Sequence, residues 1–214
     1  MATGIKLANH ELTVLEEGGD GDGYAEGGNH FIHAMRRNID ITYLVHNNQV
    51  YGLTKGQASP TSDLGYVSKN TPMGSPNPPM TPLLLAIASN CGFVARGFSG
   101  EEAHLTSLTK EGISYKGFAF IEILQNCVSF NRVNTFQWYK SRVYRINDEP
   151  EYDPEERMLA FTRAQEWGTR IPIRVIYRTE RPTLNEQQPA IKKMPLVEQE
   201  MDQKSFERII ETFK

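Results

Sequence analysis

Gly18-Gly19-Asp20-Gly21-Asp22-Gly23 decides how this 214-residue chain is read. The apolar run Leu12-Thr13-Val14-Leu15 leads into it, and Tyr24, Phe31, Ile32 and Met35 leave it at helical spacing. The pattern predicts a strand, a glycine turn and the N-terminus of a helix. Such a junction offers backbone N–H groups and the positive end of a helix dipole to an anion. Asp20 stands inside the turn, where it repels a phosphate unless a cation lies between them. Mg²⁺ suits that place, because it takes one or two carboxylates together with phosphate oxygens. An EF-hand calcium loop starting at Asp20 is excluded, since Tyr24, Ala25 and Phe31 occupy positions that would need Asp or Asn, Gly and Glu.

A second signal follows. Ile41-Thr42-Tyr43-Leu44-Val45 reads as the next strand, and Asn47-Asn48-Gln49-Val50-Tyr51-Gly52-Leu53-Thr54 follows it. Read alone, the Asn pair also makes a turn. In a parallel sheet of βαβ units, however, the C-terminal ends of both strands meet at one edge. Asp20 and the amide oxygen of Asn48 then converge on one ion.

Gly19-Asp20-Gly21 with a double Asn at this distance resembles the thiamine-diphosphate fingerprint. Tyr51-Gly52-Leu53-Thr54-Lys55-Gly56-Gln57-Ala58-Ser59-Pro60-Thr61 narrows the resemblance to the β subunits of 2-oxoacid:ferredoxin oxidoreductases. It continues through Phe93-Val94-Ala95-Arg96, Lys116-Gly117-Phe118, Cys127-Val128-Ser129-Phe130-Asn131 and Asp153-Pro154. The resemblance implies an α/β fold, a mostly parallel sheet with helices on both faces. It implies CoA-dependent oxidative decarboxylation of a 2-oxoacid, with electrons passed through iron–sulfur clusters to ferredoxin. Asp20, Asn48 and the Val50 carbonyl are the implied Mg²⁺ ligands. Gly19, Gly21, Asp22, Asn48, Gly52, Leu53 and Thr54 are the implied contacts to thiamine diphosphate, and Lys55 is a candidate for steering the anionic substrate or acceptor. No catalytic base is expected in this chain, because the family draws its activating glutamate from a partner α (or α/γ) subunit. Another thiamine-dependent decarboxylase or synthase is the first alternative, and a non-catalytic remnant that keeps the fold is the second.

Cys127 reads, by the same resemblance, as the fourth ligand of a [4Fe-4S] cluster, whose thiolates hold iron strongly. Its three partner cysteines belong, in the family, to a stretch of several tens of residues ahead of Met1. Cys91 matches no ligand position and is expected to be a buried structural thiol. Two cysteines make a disulfide scaffold unexpected.

Net charge −3 and a pI near 6.0 disfavour nucleic-acid binding. The longest apolar run, Leu83 to Ala88, is too short to span a bilayer, and no signal peptide is evident. A cytoplasmic subunit is the expectation. Residues 1–180 are expected to form the cofactor domain and residues 181–214 a tail ending in an amphipathic helix, Gln203 to Phe213.

Other expectations are local. Residues 2–9 read as the end of a helix. Glu16 and Glu17 close a strand expected to be buried on both faces, where unpaired carboxylates are costly, unless that strand is an exposed edge. Glu26 stands where the family has a small or apolar residue. His30 and His33 have metal-compatible spacing but no third ligand nearby. Ser62 to Pro82 reads as a long loop near the cofactor or a partner, or else as a disordered excursion. A strand is expected at Cys91 to Arg96 and another at Gly117 to Leu124. Ser99 and Glu102 suggest a capping box for a helix from Ala103 to Glu111. Phe136 to Arg142 reads as a segment for packing or for contact between subunits. Asp153-Pro154 opens a helix to about Trp167, followed by a strand from Ile171 to Tyr177.

Overall fold

The computed structural model describes residues 1–200 and 202–213, and among them six strands form the central sheet. Its strands are β1 (Leu15–Gly19), β2 (Thr42–Asn47), β5 (Phe93–Phe98), β6 (Ala119–Leu124), β7 (Val143–Arg145) and β8 (Ile171–Arg178), in the order β1-β2-β6-β5-β8-β7. The first four run parallel; β8 is antiparallel to β5, and β7 is parallel to β8. A separate antiparallel hairpin pairs β3 (Val50–Tyr51) with β4 (Gln57–Ala58). The helices are α1 (Ala2–Ala8), α2 (Gly28–Arg37), α3 (Pro82–Ala88), α4 (Glu102–Ser114), α5 (Phe136–Lys140), α6 (Arg157–Ala164), α7 (Leu184–Gln187) and α8 (Gln203–Glu211).

Strands β5 and β6 are buried along their whole length, as parallel strands covered on both faces must be. Alternate side chains go to opposite layers. Val94 and Phe120 join Phe31, Met35, Leu83, Ile87 and Ala160, from α2, α3 and α6. Phe93, Ala95, Ile121 and Ile123 join Leu105 and Leu108, from α4. No described helix is long and apolar enough to cross a membrane.

Several local expectations shift. The first strand is not Leu12 to Leu15 but Leu15–Gly19, carried forward because its ladder with β2 continues to Gly19 opposite His46. It is the sheet's edge, the alternative left open for this strand, so Glu16 and Glu17 are exposed. Glu26 is exposed as well and accepts a long hydrogen bond from the Tyr51 hydroxyl at 3.4 Å. Ser99 does not cap α4, because the helix starts at Glu102 with Glu101 in the cap position; the Ser99 N–H instead continues the β5–β6 ladder to the Leu124 carbonyl. The helix after Asp153-Pro154 starts at Arg157, capped by the Glu156 carboxylate, which accepts from the Met158 and Leu159 N–H groups. It ends at Ala164, and Trp167 instead packs on Trp138 and Tyr139. Residues 59–81 carry no regular element, as expected of the long loop. Cys91 is fully buried, and burial pushes its thiol up to about 12.

Asn38 locks three parts of the chain together. It ends α2 in the left-handed conformation, at φ 51°. Its side-chain oxygen accepts from the Phe118 N–H at 3.0 Å, and its amide donates to the carbonyls of Arg181 and Pro182. Its own carbonyl accepts from the Leu184 N–H. Residues 181–184 are thereby tied to the start of β6, and Ile191 beyond them is buried. Replacing Asn38 by Ala leaves buried partners unpaired, so Asn38→Ala should cost about 3 kcal/mol in denaturant unfolding. A loss below about 1 kcal/mol would count against this role.

Candidate functional site

At the end of β1 the chain turns directly into helix at Asp20, and a π-helical turn, Asp22–Glu26, precedes α2. The Asp20 side chain is 1% exposed. The hydroxyls of Ser59 and Thr61 donate to its Oδ2 at 2.5 and 2.6 Å. Burial raises its pKa above the ordinary carboxylate value; the two hydroxyls and the Asn48 backbone N–H pull it partly back. Thr61 Oγ1 also lies 2.8 Å from Asn47 Oδ1. A threonine hydroxyl has one hydrogen, so it cannot serve both oxygens at once. The Asn47 amide is oriented by its neighbours: its Nδ2 donates to Glu122 Oε1 at 2.8 Å, and its Oδ1 accepts the Gln49 N–H at 3.1 Å.

The next residues are held by local hydrogen bonds. Asn48 Oδ1 accepts from the Val50 N–H at 3.0 Å, an Asx-turn. Gln49 has φ 61°, and its side chain donates to the Thr61 carbonyl at 2.9 Å. Its Oε1 accepts from Tyr139 Oη at 2.8 Å and from Asn134 Nδ2. These bonds clamp the Ser59–Asp63 stretch and the segment before α5 onto the end of β2.

The glycines have separate reasons. A Cβ on Gly21 would run into the Tyr51 ring, and one on Gly23 would run into the Tyr43 hydroxyl. Around Gly52 a Cβ would meet nothing. Asp22 is exposed, and its carboxylate turns back to accept the Gly19 N–H at 2.5 Å. Gly52, Leu53, Thr54 and Lys55 form the turn of the β3–β4 hairpin; Leu53 is 98% exposed, and Lys55 is exposed at φ 69°.

Cys127 follows β6 and is half-buried. The Phe130 N–H points to its sulfur at 3.4 Å. Phe130 in turn packs on Gly56, and the Tyr66 hydroxyl lies within hydrogen-bond reach of both their carbonyls, 3.3 and 3.4 Å away. Cys127 therefore lies beside the β3–β4 hairpin. Among the described residues no three His, Cys, Asp or Glu side chains gather to hold a metal, and His30 and His33 stand exposed without a third ligand.

So the structure gathers Asp20, Asn48 and Val50 at one edge, with Gly21 joined to them through Tyr51. Ser59, Thr61, Asn47, Arg96 and Glu122 escaped sequence reasoning. For Arg96 and Glu122 a signal existed: each is the lone charge in an otherwise uncharged, buried strand. Gly21→Ala should displace the Tyr51 ring and cost about 1–3 kcal/mol in urea unfolding, as overpacking does. Unchanged stability would mean that Tyr51 moves freely.

Residues 1–123 match the family described as thiamine pyrophosphate enzyme, C-terminal TPP binding domain, and residues 127–193 match the C terminal family of the pyruvate ferredoxin oxidoreductase beta subunit. The chain is 47% identical over 185 residues to 2-oxoacid:ferredoxin oxidoreductase 1, subunit beta, of Aeropyrum pernix, covering 82% of this chain and 58% of that protein. It is 43% identical over 198 residues to the beta subunit of the 2-oxoacid:ferredoxin oxidoreductase of Saccharolobus solfataricus, covering 88% and 65%. The chain thus spans about three-fifths of the length of these relatives. A chain of the 2-oxoglutarate:ferredoxin oxidoreductase from Magnetococcus marinus, solved with 2-oxoglutarate, coenzyme A and succinyl-CoA bound, superposes with a TM-score of 0.88 at 35% identity, over 100% of this chain and 72% of that one. With residues 1–123 matching a thiamine pyrophosphate-binding domain and residues 127–193 the family's own C-terminal segment, this protein belongs to the β subunits of the 2-oxoacid:ferredoxin oxidoreductases, an oxidoreductase family.

Proposed function

We propose that this chain binds thiamine diphosphate through Mg²⁺ at the Asp20 edge. In this reading it acts as the β subunit of an enzyme that oxidatively decarboxylates a 2-oxoacid onto coenzyme A, with ferredoxin as electron acceptor. The observation that carries the reading is the Asp20 carboxylate, buried at the edge where Asn48 and Val50 also lie and met by hydroxyl and backbone N–H groups instead of a cationic side chain among the described residues. Thr61 has one hydrogen for two oxygens, Asp20 Oδ2 and Asn47 Oδ1. A cation on Asp20 would relieve that shortage, and hard oxygen donors fit Mg²⁺. The residues present fit the group: Asp20 Oδ, the Asn48 amide oxygen and the Val50 carbonyl would hold the ion.

When bound, thiamine diphosphate supplies the electron sink for decarboxylation. The chain's own residues bind and orient it. Gly19 and Gly21 let backbone approach the diphosphate, as glycine permits, and Asp22, which holds the Gly19 N–H, keeps that turn in shape. Gly52 has open space around it in the free chain, which leaves a place for diphosphate oxygens beside Leu53 and Thr54. Lys55, on the same exposed turn, adds a positive charge for an anionic substrate or acceptor. Cys127, set beside that turn, is the fourth thiolate of a [4Fe-4S] cluster whose other three ligands come from outside this sequence. An α subunit supplies the activating carboxylate.

Asp20→Ala should reduce Mg²⁺-dependent binding of thiamine diphosphate by the assembled enzyme at least about 100-fold in calorimetry, more than a supporting residue would cost. Undiminished affinity would refute the ion site. Cys127→Ser should lower the iron and sulfide content of the purified complex by one cluster; the same iron count in both proteins would remove Cys127 from the ligand set.

A further inference from the structure

The Arg96–Glu122 ion pair has no part in that reading, yet it is joined to the site. Arg96 Nε and Glu122 Oε2 are 2.7 Å apart, with side chains 4% and 1% exposed. The two residues are register partners on β5 and β6. A pair this deep loses hydration that its attraction barely returns, so apolar side chains of like volume often hold a core as well or better. Packing does not demand Arg96 either. A cavity of about 120 Å³ borders it, lined also by Met80 and Trp167, and its Nη1 has no hydrogen-bond partner among the described residues.

What the pair does hold is Asn47. Glu122 Oε1 accepts from Asn47 Nδ2 at 2.8 Å, Asn47 Oδ1 faces the Thr61 hydroxyl at 2.8 Å, and that hydroxyl reaches Asp20 Oδ2 at 2.6 Å. All five residues are buried. With the Asn47 and Asp20 oxygens competing for its one hydrogen, the Thr61 hydroxyl takes its orientation from where Asn47 is held. The Asn47 amide cannot turn over without losing Glu122, and while it is fixed its oxygen, not its nitrogen, faces Thr61. Arg96, in turn, fixes the Glu122 carboxylate on β6.

We propose that Asn47, anchored by the Arg96–Glu122 pair, is a positioning residue that sets the Thr61 hydroxyl, and through it the Asp20 carboxylate, for a divalent cation. The proposal rests on the reading of Asp20 as a cation ligand. It gives the buried pair the work of a supporting shell, which orients a ligand without touching the ion.

The test is a Mn²⁺ titration, read by electron paramagnetic resonance, of the full chain co-purified with its partner subunit, thiamine diphosphate present. Arg96→Met/Glu122→Leu frees the Asn47 amide while keeping the core apolar and filled. Its Mn²⁺ affinity should fall about tenfold, the usual cost of losing a supporting partner, with the melting temperature maintained. Arg96→Met/Glu122→Gln keeps an acceptor for Asn47 and should return affinity to within about threefold of wild type. The proposal is overturned if the Leu variant binds as wild type does, or if the Gln variant is as weak as the Leu variant; either result leaves the Asp20 site standing. A wild-type complex that binds no Mn²⁺ removes the site and the relay together. Should a double variant fail to fold, Thr61→Val against Thr61→Ser reads the last joint. Only the valine form should lose affinity, and equal affinities would sink the relay.

Discussion

A negative charge buried at the end of β1 is the constraint on which the rest of this structure turns. Asp20 is all but sealed from solvent, and an unpaired buried carboxylate is expensive. Everything near it bears on that cost. The chain from Ser59 to Thr61 is folded back so that two hydroxyls reach one carboxylate oxygen. The Ser62 hydroxyl holds the Gln49 carbonyl, and Gln49 holds the Thr61 carbonyl. The loop that follows closes on itself instead of on a ladder, the Gly65 N–H meeting the Ser75 carbonyl and the Ser75 N–H the Tyr66 carbonyl. Irregular backbone of this kind is where function concentrates, on a rigid sheet that positions it.

Much of this was legible in the sequence. The Gly-Asp-Gly turn, the Asn pair and the apolar runs of β2, β5 and β6 carried the parallel part of the sheet and the edge at which Asp20 and Asn48 meet. What escaped has physical causes. The extent of β1 depends on its ladder with β2, which no local pattern reveals, so its two carboxylates looked buried when they face solvent. Ser99 resembled a helix cap because Glu102 follows at capping-box spacing, but the helix starts only at Glu102 and the Ser99 N–H belongs to the sheet. Within the site, Asn48 was visible as a donor and Asn47 was not. Their difference lies in long-range partners: Asn47 meets Glu122, 75 residues away.

The two layers of the core serve different ends. On one face, rings from Tyr24, Phe31, Tyr43, Phe118 and Phe120 stack edge to face and tilted, fastening the helix that follows the site turn to the centre of the sheet. Pairs of this kind add energy beyond area alone. On the other face, α4 packs aliphatic side chains on β5 and β6. Of the two, the aromatic face is the one that keeps Asp20 and α2 in fixed relation.

The acidic strand β1 has one more consequence. An edge strand presents unpaired N–H and C=O groups that can template the strand of another chain. Here Glu16 and Glu17 stand exposed along that edge, with the Glu17 carboxylate 3.9 Å from His46 on the neighbouring strand. A second copy approaching edge to edge would bring like charges together at the points where its backbone must dock. The residues that looked like a flaw in the fold thus set negative charge along this strand, beside the Gly-Asp-Gly turn, where another strand's backbone would have to pair.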